Sequence, residues 1–213
     1  MNYKDNVKRL FDIVISICAM PFVLTLTLLL ALPVYLDDRG PLLFRSLRRG
    51  RHGVPFTIYK FRSMTEGAPD IRNIDGSTLT AADDPRVTRV GKILRKTSLD
   101  EVPQIVNVLI GDMSIVGPRP DMAGRPLSEL SQEELKRLTV RPGITGYSQA
   151  YYRNDISAAQ RTKLDCKYVD NVTIWKDAKI LLKTVSSVLL AKGINSNPEN
   201  LKHLSKVSSP NVK

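Results

Sequence analysis

Two adjacent carboxylates, Asp100 and Glu101, sit among basic residues: Arg95 and Lys96 precede them, and Arg119 follows between Pro118 and Pro120. A carboxylate in such a setting can act as a covalent nucleophile toward phosphorus, provided that positive charge neutralises the anionic phosphate ester. Mg2+ held by one or two carboxylates plus substrate oxygens is the usual source of that charge, which makes Asp100 and Glu101 candidate metal ligands as well. Arginine forks complete such a clamp. The prolines flanking Arg119 restrict its backbone and preorganise it for that role. Ser98-Leu99-Asp100-Glu101 has the form of a capping box, with the pair in a first helical turn whose free N–H groups favour negative charge and attract phosphate. Plainer readings stand beside these. Adjacent acids most often form a solvated charge pair at a helix start, and a loop arginine such as Arg119 can simply pair with Asp112 or Asp121. Gly91-Lys92 lacks the upstream glycine and following hydroxyl of a P-loop, so nucleotide hydrolysis of that type is not indicated.

The elements that must carry these residues divide unevenly by polarity. The chain has 213 residues and a net charge of +11, and from Ile13 to Leu36 it holds no charged residue. Those 24 residues are long enough, at about 1.5 Å each, to cross a hydrocarbon core of about 30 Å. They exceed the core of a cleaved signal peptide. Lys4, Lys8 and Arg9 precede the run, and seven basic residues with no acidic one lie between Arg39 and Arg62 (Arg39, Arg45, Arg48, Arg49, Arg51, Lys60 and Arg62). Basic flanks mark the cytoplasmic side, and here both flanks qualify. A helix that enters and returns on one side would satisfy both, and Pro21 supplies a break, with Ser16 and Thr25 near enough to satisfy freed backbone groups. A single spanning anchor kinked at Pro21 remains the alternative. The two cysteines, Cys18 in the apolar run and Cys166 in a polar segment, suggest a reduced protein without a disulfide framework. His52 and His203 belong to no metal-ligand cluster.

Beyond the turn-rich exit at Asp37–Pro41, Val54–Phe61 alternates as a strand. Thr65–Arg86 reads as a long surface loop. A helix begins at Val90–Leu94, and a second runs from the Ser98 cap along Ile105, Val106, Leu109 and Ile110 to a stop at Gly111. Ile115–Pro120 and Val140–Gly146 are short punctuated stretches, and between them Ser128–Leu138 reads as a charged helix opened by Ser131-Gln-Glu-Glu134. Thr173–Lys192 is amphipathic, with Lys176, Lys179 and Lys183 opposite Ile180, Leu181, Val185, Val188 and Leu189. A basic face beside Trp175 suits a helix lying on an anionic membrane, although a core helix is the commoner explanation. Residues 194–213 read as a disordered tail.

Four blocks, taken in order, carry a resemblance: Tyr59-Lys-Phe-Arg-Ser-Met64, Ser98-Leu-Asp-Glu-Val-Pro-Gln104, Gly111-Asp-Met-Ser-Ile-Val-Gly-Pro-Arg-Pro120 and Arg141-Pro-Gly-Ile-Thr-Gly146. Together they resemble the bacterial sugar transferases, also called small monotopic phosphoglycosyl transferases, over about residues 6–191. The resemblance implies transfer of a phospho-sugar from a UDP-sugar to polyprenyl (undecaprenyl) phosphate with release of UMP. It further implies Mg2+, a covalent aspartyl intermediate and a place at the start of surface glycan or glycoprotein glycan assembly. By position, Asp100-Glu101 would be the catalytic and metal-binding pair, with Arg119, Arg95 and Lys60 contacting substrate phosphate. Arg141, Arg153 and Asn154, in and after the last block, would contact sugar or base, or merely pack a loop. The family's membrane helix breaks at a Ser-Pro pair. Here that pair reads Met20-Pro21, which keeps the proline and tips the balance toward a monotopic protein with both termini cytoplasmic. The extra N-terminal membrane helices of larger relatives are not expected.

The expected fold is α+β and mainly helical. A re-entrant membrane helix occupies 1–38, a compact cytoplasmic catalytic domain with interfacial amphipathic helices and a short β element occupies 39–192, and a flexible tail occupies 193–213. The expected partners are a UDP-sugar, polyprenyl phosphate and anionic lipids of the bacterial inner membrane, without nucleic acid. Neither the sugar nor the oligomeric state is written in these motifs. A competing reading is a membrane-anchored basic module that binds nucleic acid or anionic lipid. It accounts for the charge but not for the acidic pair, and the basic residues lack the interleaved aromatics of single-strand binders.

Overall fold

The computed structural model describes residues 3–69, 71, 84–152 and 156–189. It is mainly helical, with two small sheets. A π-helical turn at Tyr3–Val7 leads into α1 (Lys8–Asp38), one 31-residue helix that holds both Pro21 and Pro33. Thr25 Oγ1 donates to the Pro21 carbonyl at 2.9 Å, whereas Ser16 is fully buried and its hydroxyl has no partner among the described residues. Arg39 ends the helix in the left-handed region at φ 57°. Most of α1 faces outward, with Phe22, Leu28, Leu29 and Leu32 all more than half exposed. Hydrogen bonds tie both of its ends to the rest of the chain. Arg9 donates to the carbonyls of Val108 and Leu109, and Asp12 accepts from Ser114 Oγ and the Ile115 N–H. At the other end, Asp37 accepts from the Val90 N–H at 2.8 Å, and Asp38 pairs with the buried Arg62.

The hairpin of β1 (Leu43–Arg49) and β2 (Pro55–Phe61) is antiparallel, with Leu43 opposite Phe61 and Arg49 opposite Pro55. β2 answers the alternation seen in the sequence. β1 carries three arginines on a largely exposed strand, so polarity alone marked it as a charged flank. α2 (Arg89–Thr97) follows, capped by the Thr88 hydroxyl, which accepts from the Gly91 N–H at 3.0 Å. A 3₁₀ turn at Leu99–Glu101 then leads to α3 (Gln104–Ile110), which ends at Gly111 with φ 101°. The two punctuated stretches are parallel neighbours: β3 (Ser114–Val116) pairs with β4 (Gly143–Thr145). They approach so closely at their glycines that a Cβ on Gly143 would sit 2.1 Å from the Gly117 nitrogen.

α4 (Gln132–Arg137) opens with the expected capping box between Ser131 and Glu134. α5 (Tyr147–Tyr152) and α6 (Ala158–Asp170) are helices that their polar composition did not announce, the latter opened by a second capping box of Ser157 and Gln160. α7 (Ile174–Leu189) matches the amphipathic segment, but its faces divide differently from the expected stripe. Ile180 is in the core, while Val185 joins Trp175 and Leu182 on the outside. The core gathers Phe56 and Ile58 of β2, Val108 of α3, Met113, the β3–β4 pair, Tyr168 of α6 and Ile180 of α7. A second cluster packs Val34 of α1 against Phe61 and Leu94. Cys18 is exposed, Cys166 is buried, and both are free. The tail proposed for 193–213, and most of the 65–86 loop, lie outside the described residues.

Candidate active site

The acidic pair sits on a bend rather than in the first turn of a long helix. α2 stops because Ser98 adopts the left-handed conformation, φ 57°, with its N–H directed back to the Arg95 and Leu94 carbonyls. Such a conformation is uncommon for a residue with a Cβ. Ser98 therefore makes no side-chain cap, and the expected capping box does not form. Glu101 instead turns to cationic partners. Lys60 Nζ, from the middle of β2, reaches Glu101 Oε1 at 2.6 Å, and Arg119 Nη1 lies 3.5 Å from the same oxygen. Arg119 thus pairs with neither Asp112 nor Asp121.

Asp100 has no hydrogen bond or ion pair recorded among the described residues, although Lys60, Arg95 and Arg119 all act on its charge. Burial first, and the neighbouring Glu101 charge second, push its carboxyl from the ordinary value near 3.8 up to about 6. Burial would raise Glu101 too, but Lys60 and Arg119 overcome it and hold that carboxyl at about 2. Two adjacent carboxylates are thereby driven apart: one permanently ionised and clamped, the other unclamped and unusually basic. Divergent titration of neighbouring acids is a mark of divided chemical roles.

The supports of this arrangement come from several elements. Asn107, fully buried on α3, accepts from the Tyr59 N–H at 3.1 Å and donates to the Thr57 carbonyl at 2.7 Å. It locks β2, and hence Lys60, to the helix that follows the acidic pair. Nothing in the sequence marked Asn107 except its polarity on an otherwise apolar helical face. Arg95 Nε donates to Ser63 Oγ at 3.0 Å; burial lowers its pKa, and the charges of Asp100 and Asp84 oppose that. Arg119 is anchored through its backbone, its carbonyl accepting from the buried Arg137 at 2.9 Å, while its side chain keeps 44 % of its surface open. Gly91 lets α2 approach this region, since a Cβ there would lie 2.1 Å from the Ser63 carbonyl oxygen.

Asp100, Glu101, Lys60, Arg95 and Arg119 are therefore brought together. Arg141 is not among them: its Nε donates to the Gly111 carbonyl at 2.9 Å, at the opposite end of α3. Arg153 and Asn154 fall outside the described residues. The residues before them form α5, with Ser148 and Ala150 buried. Among the described residues, no group of three or more His, Cys, Asp or Glu side chains could hold a metal ion by itself. The unpartnered Asp100 carboxylate beside Glu101 fits Mg2+ of the kind that takes most of its ligands from water and substrate phosphate.

The description of the family of bacterial sugar transferases matches this chain over residues 3–191. The chain is 42 % identical over 187 residues to the uncharacterized sugar transferase EpsL of Bacillus subtilis, covering 88 % of this chain and 89 % of that one. It is 40 % identical over 194 residues to the UDP-glucose:undecaprenyl-phosphate glucose-1-phosphate transferase of Caulobacter vibrioides, covering 87 % and 70 %. It is also 40 % identical over 197 residues to the undecaprenyl-phosphate galactose phosphotransferase of Salmonella typhimurium, where the match covers 87 % of this chain but only 41 % of the relative.

Proposed function

Because the chain belongs to the bacterial sugar transferase family, we propose that it moves a phospho-sugar from a UDP-sugar to undecaprenyl phosphate at the cytoplasmic face of the bacterial membrane, releasing UMP. The relatives named for undecaprenyl-phosphate glucose or galactose transfer support the acceptor and the reaction class. The observation that carries the mechanism is the split acidic pair: Glu101 clamped by Lys60 and Arg119, Asp100 left unpaired and more basic.

In the first step an Asp100 carboxylate oxygen bonds to the sugar-bearing phosphorus. The bond from that phosphorus to the bridging oxygen breaks, and the oxygen leaves with the electron pair as part of UMP. In the second step a phosphate oxygen of the lipid attacks the same phosphorus and displaces the Asp100 carboxylate. The product is a lipid diphosphate sugar, and the carboxylate is regenerated. A carboxyl near 6 is mostly ionised above neutrality yet more basic than an ordinary one, which suits it to attack. Arg119 and Lys60 place positive charge beside the phosphoryl oxygens, with Glu101 holding both in position. Mg2+, held by Asp100 and Glu101 together with phosphate oxygens, would neutralise the diphosphate.

The membrane placement rests on α1. It is long and apolar enough to cross a bilayer, with a mean hydropathy of 2.6. Both of its polar ends, however, are bonded to the same domain, through Arg9 and Asp12 at one end and Asp37 and Asp38 at the other. Ends held by one body favour a helix that dips into the bilayer and returns, as the two basic flanks also do. Lys8 pairs with Asp177 at 2.5 Å, which sets the first turn of α7 beside the start of α1. The exposed Trp175, Leu182 and Val185, flanked by Lys179 and Lys183, then suit an interfacial helix on anionic lipid.

The test is UMP release from a panel of UDP-sugars with undecaprenyl phosphate and Mg2+, with and without EDTA. Release expected with at least one sugar disappears on chelation and in Asp100→Asn, and a phospho-sugar adduct is trapped on Asp100 when the lipid is withheld. Full turnover in Asp100→Asn would remove Asp100 from the mechanism, and turnover of the intact protein without an adduct would replace the covalent route by direct attack of the lipid phosphate. Binding of nucleic acid without any sugar transfer would favour the non-catalytic module instead.

A further inference from the structure

A cleft of about 360 Å³, counting its open mouth, lies at the start of α1. Among the described residues it is lined by four cationic side chains, Lys8, Arg9, Arg51 and Arg141, and by one carboxylate, Asp12. Asp12 is committed to β3, where it accepts from Ser114 Oγ at 3.0 Å and the Ile115 N–H at 2.9 Å. Lys8 also pairs with Asp177. Two of the guanidinium groups meet at the C-terminus of α3. Arg9 Nη2 donates to the Leu109 carbonyl at 2.8 Å and lies 3.5 Å from where a Cβ on Gly111 would sit, while Arg141 Nε donates to the Gly111 carbonyl at 2.9 Å. The negative end of a helix accounts for part of that placement. It does not account for Arg51, which comes from the turn between β1 and β2 and donates through Nε to the Thr139 carbonyl at 3.1 Å. Guanidinium groups from three separate segments, with an ammonium beside them, thus converge on one cleft. Planar forks of this kind suit the oxygens of a phosphate.

We propose that this cleft binds the phosphate of an anionic membrane lipid, at a site separate from the acidic pair, which precedes the other end of α3. The lipid source follows from the surroundings. Leu10 and Phe11, which follow Arg9 on α1, are 59 % and 45 % exposed, and Ile110, beside Gly111, is 62 % exposed. Apolar side chains therefore adjoin the basic ones, as acyl chains adjoin a head group. Basic pockets beside membrane helices take anionic head groups in this way. A lipid phosphate held there links the start of α1 to the end of α3 at the bilayer surface and so sets the orientation of the domain. This inference rests on the membrane placement proposed above and not on the transfer reaction.

The test uses the full-length chain in a neutral detergent, titrated calorimetrically with dihexanoyl phosphatidylglycerol, dihexanoyl phosphatidylcholine and inorganic phosphate. The anionic lipid should bind more tightly than the other two. Loss of a charge-assisted contact predicts a fall in its affinity of about 10- to 100-fold in Arg51→Gln and in Arg141→Gln, with partial recovery in Arg51→Lys. Lys179→Gln, which removes an exposed cation of α7 outside the cleft, should leave that affinity unchanged. Melting temperatures are taken without lipid, and if Arg141→Gln melts lower, Arg51→Gln on the hairpin turn decides the matter. Affinity unchanged in Arg51→Gln, or lowered as much by Lys179→Gln, would overturn the site in favour of diffuse surface charge. Inorganic phosphate bound as tightly as the anionic lipid would overturn the lipid assignment, as would equal binding of phosphatidylcholine. Sugar transfer without any binding of phosphatidylglycerol removes this site alone. Arg51-dependent lipid binding in a protein that releases no UMP keeps the site and removes the transfer reaction.

Discussion

Replacing Asp100 by Asn should abolish activity and make the protein more stable, a combination peculiar to a residue kept for chemistry. Its carboxyl titrates near 3.8 in an unfolded chain and near 6 in the fold. Each pH unit between those values is worth about 1.4 kcal/mol, so ionised Asp100 destabilises the native state by at most about 3 kcal/mol above pH 6. The sign follows from the raised folded value: the favourable contribution is fully present below about pH 4 and is lost as pH rises through about 6. Asn has nearly the same shape and never ionises. Since Asp100 retains some contact with solvent, the expected gain at pH 7.5 is about 1–3 kcal/mol, or a melting midpoint higher by about 2–10 °C. Thermal unfolding followed by circular dichroism, for both proteins from pH 4 to pH 8, measures it. The two midpoints should converge as pH falls below about 4. Equal midpoints at pH 7.5, or a gap that persists at pH 4, would refute the account of Asp100 as a buried, unpaired carboxylate. In the unmodified protein, UMP release should fall about tenfold per pH unit below about pH 6.

Three further substitutions probe the supports. Lys60→Met leaves Glu101 with Arg119 alone and should destabilise by about 1–3 kcal/mol at pH 7 while reducing UMP release at least about tenfold; because Glu101 is held at about 2, against an ordinary 4.5, the stability difference should shrink as pH falls through that window in thermal unfolding. Asn107→Leu strips partners from two backbone groups of β2 and should cost about 2–4 kcal/mol in chemical denaturation, with reduced transfer because Lys60 loses its anchor. Unchanged kinetics there would mean that β2 needs no tie to α3. Gly91→Ala puts a methyl against the Ser63 carbonyl, so a lower melting point and weaker transfer are expected through displacement of the Arg95–Ser63 contact; a variant with the original melting point would show that α2 can shift freely.

The local elements were legible where periodicity or punctuation was strong: the apolar run of α1, the alternation of β2, the Ser131 capping box of α4, and Gly111 after α3. β1, α5 and α6 were not, because each is short or polar and is stabilised by what it packs against. The Ser98 motif shows the limit from the other side. Its residue pattern promised a cap, yet Glu101 gains more from two cations brought by β2 and the Arg119 loop than from one backbone N–H.

The sequence by itself determined the inventory: an acidic pair among arginines and lysines, an apolar segment with basic flanks, and four ordered blocks that identify a family. Those are matters of residue type and spacing, which local chemistry and chain order settle. Only the tertiary structure decided which carboxylate is clamped and which is free, that Asn107 holds Lys60 in place, and that both ends of α1 are bonded to one domain. The reason is physical. Charge pairing and desolvation depend on distances between residues as far apart in the chain as Lys8 and Asp177, and those distances come into being only when the core closes.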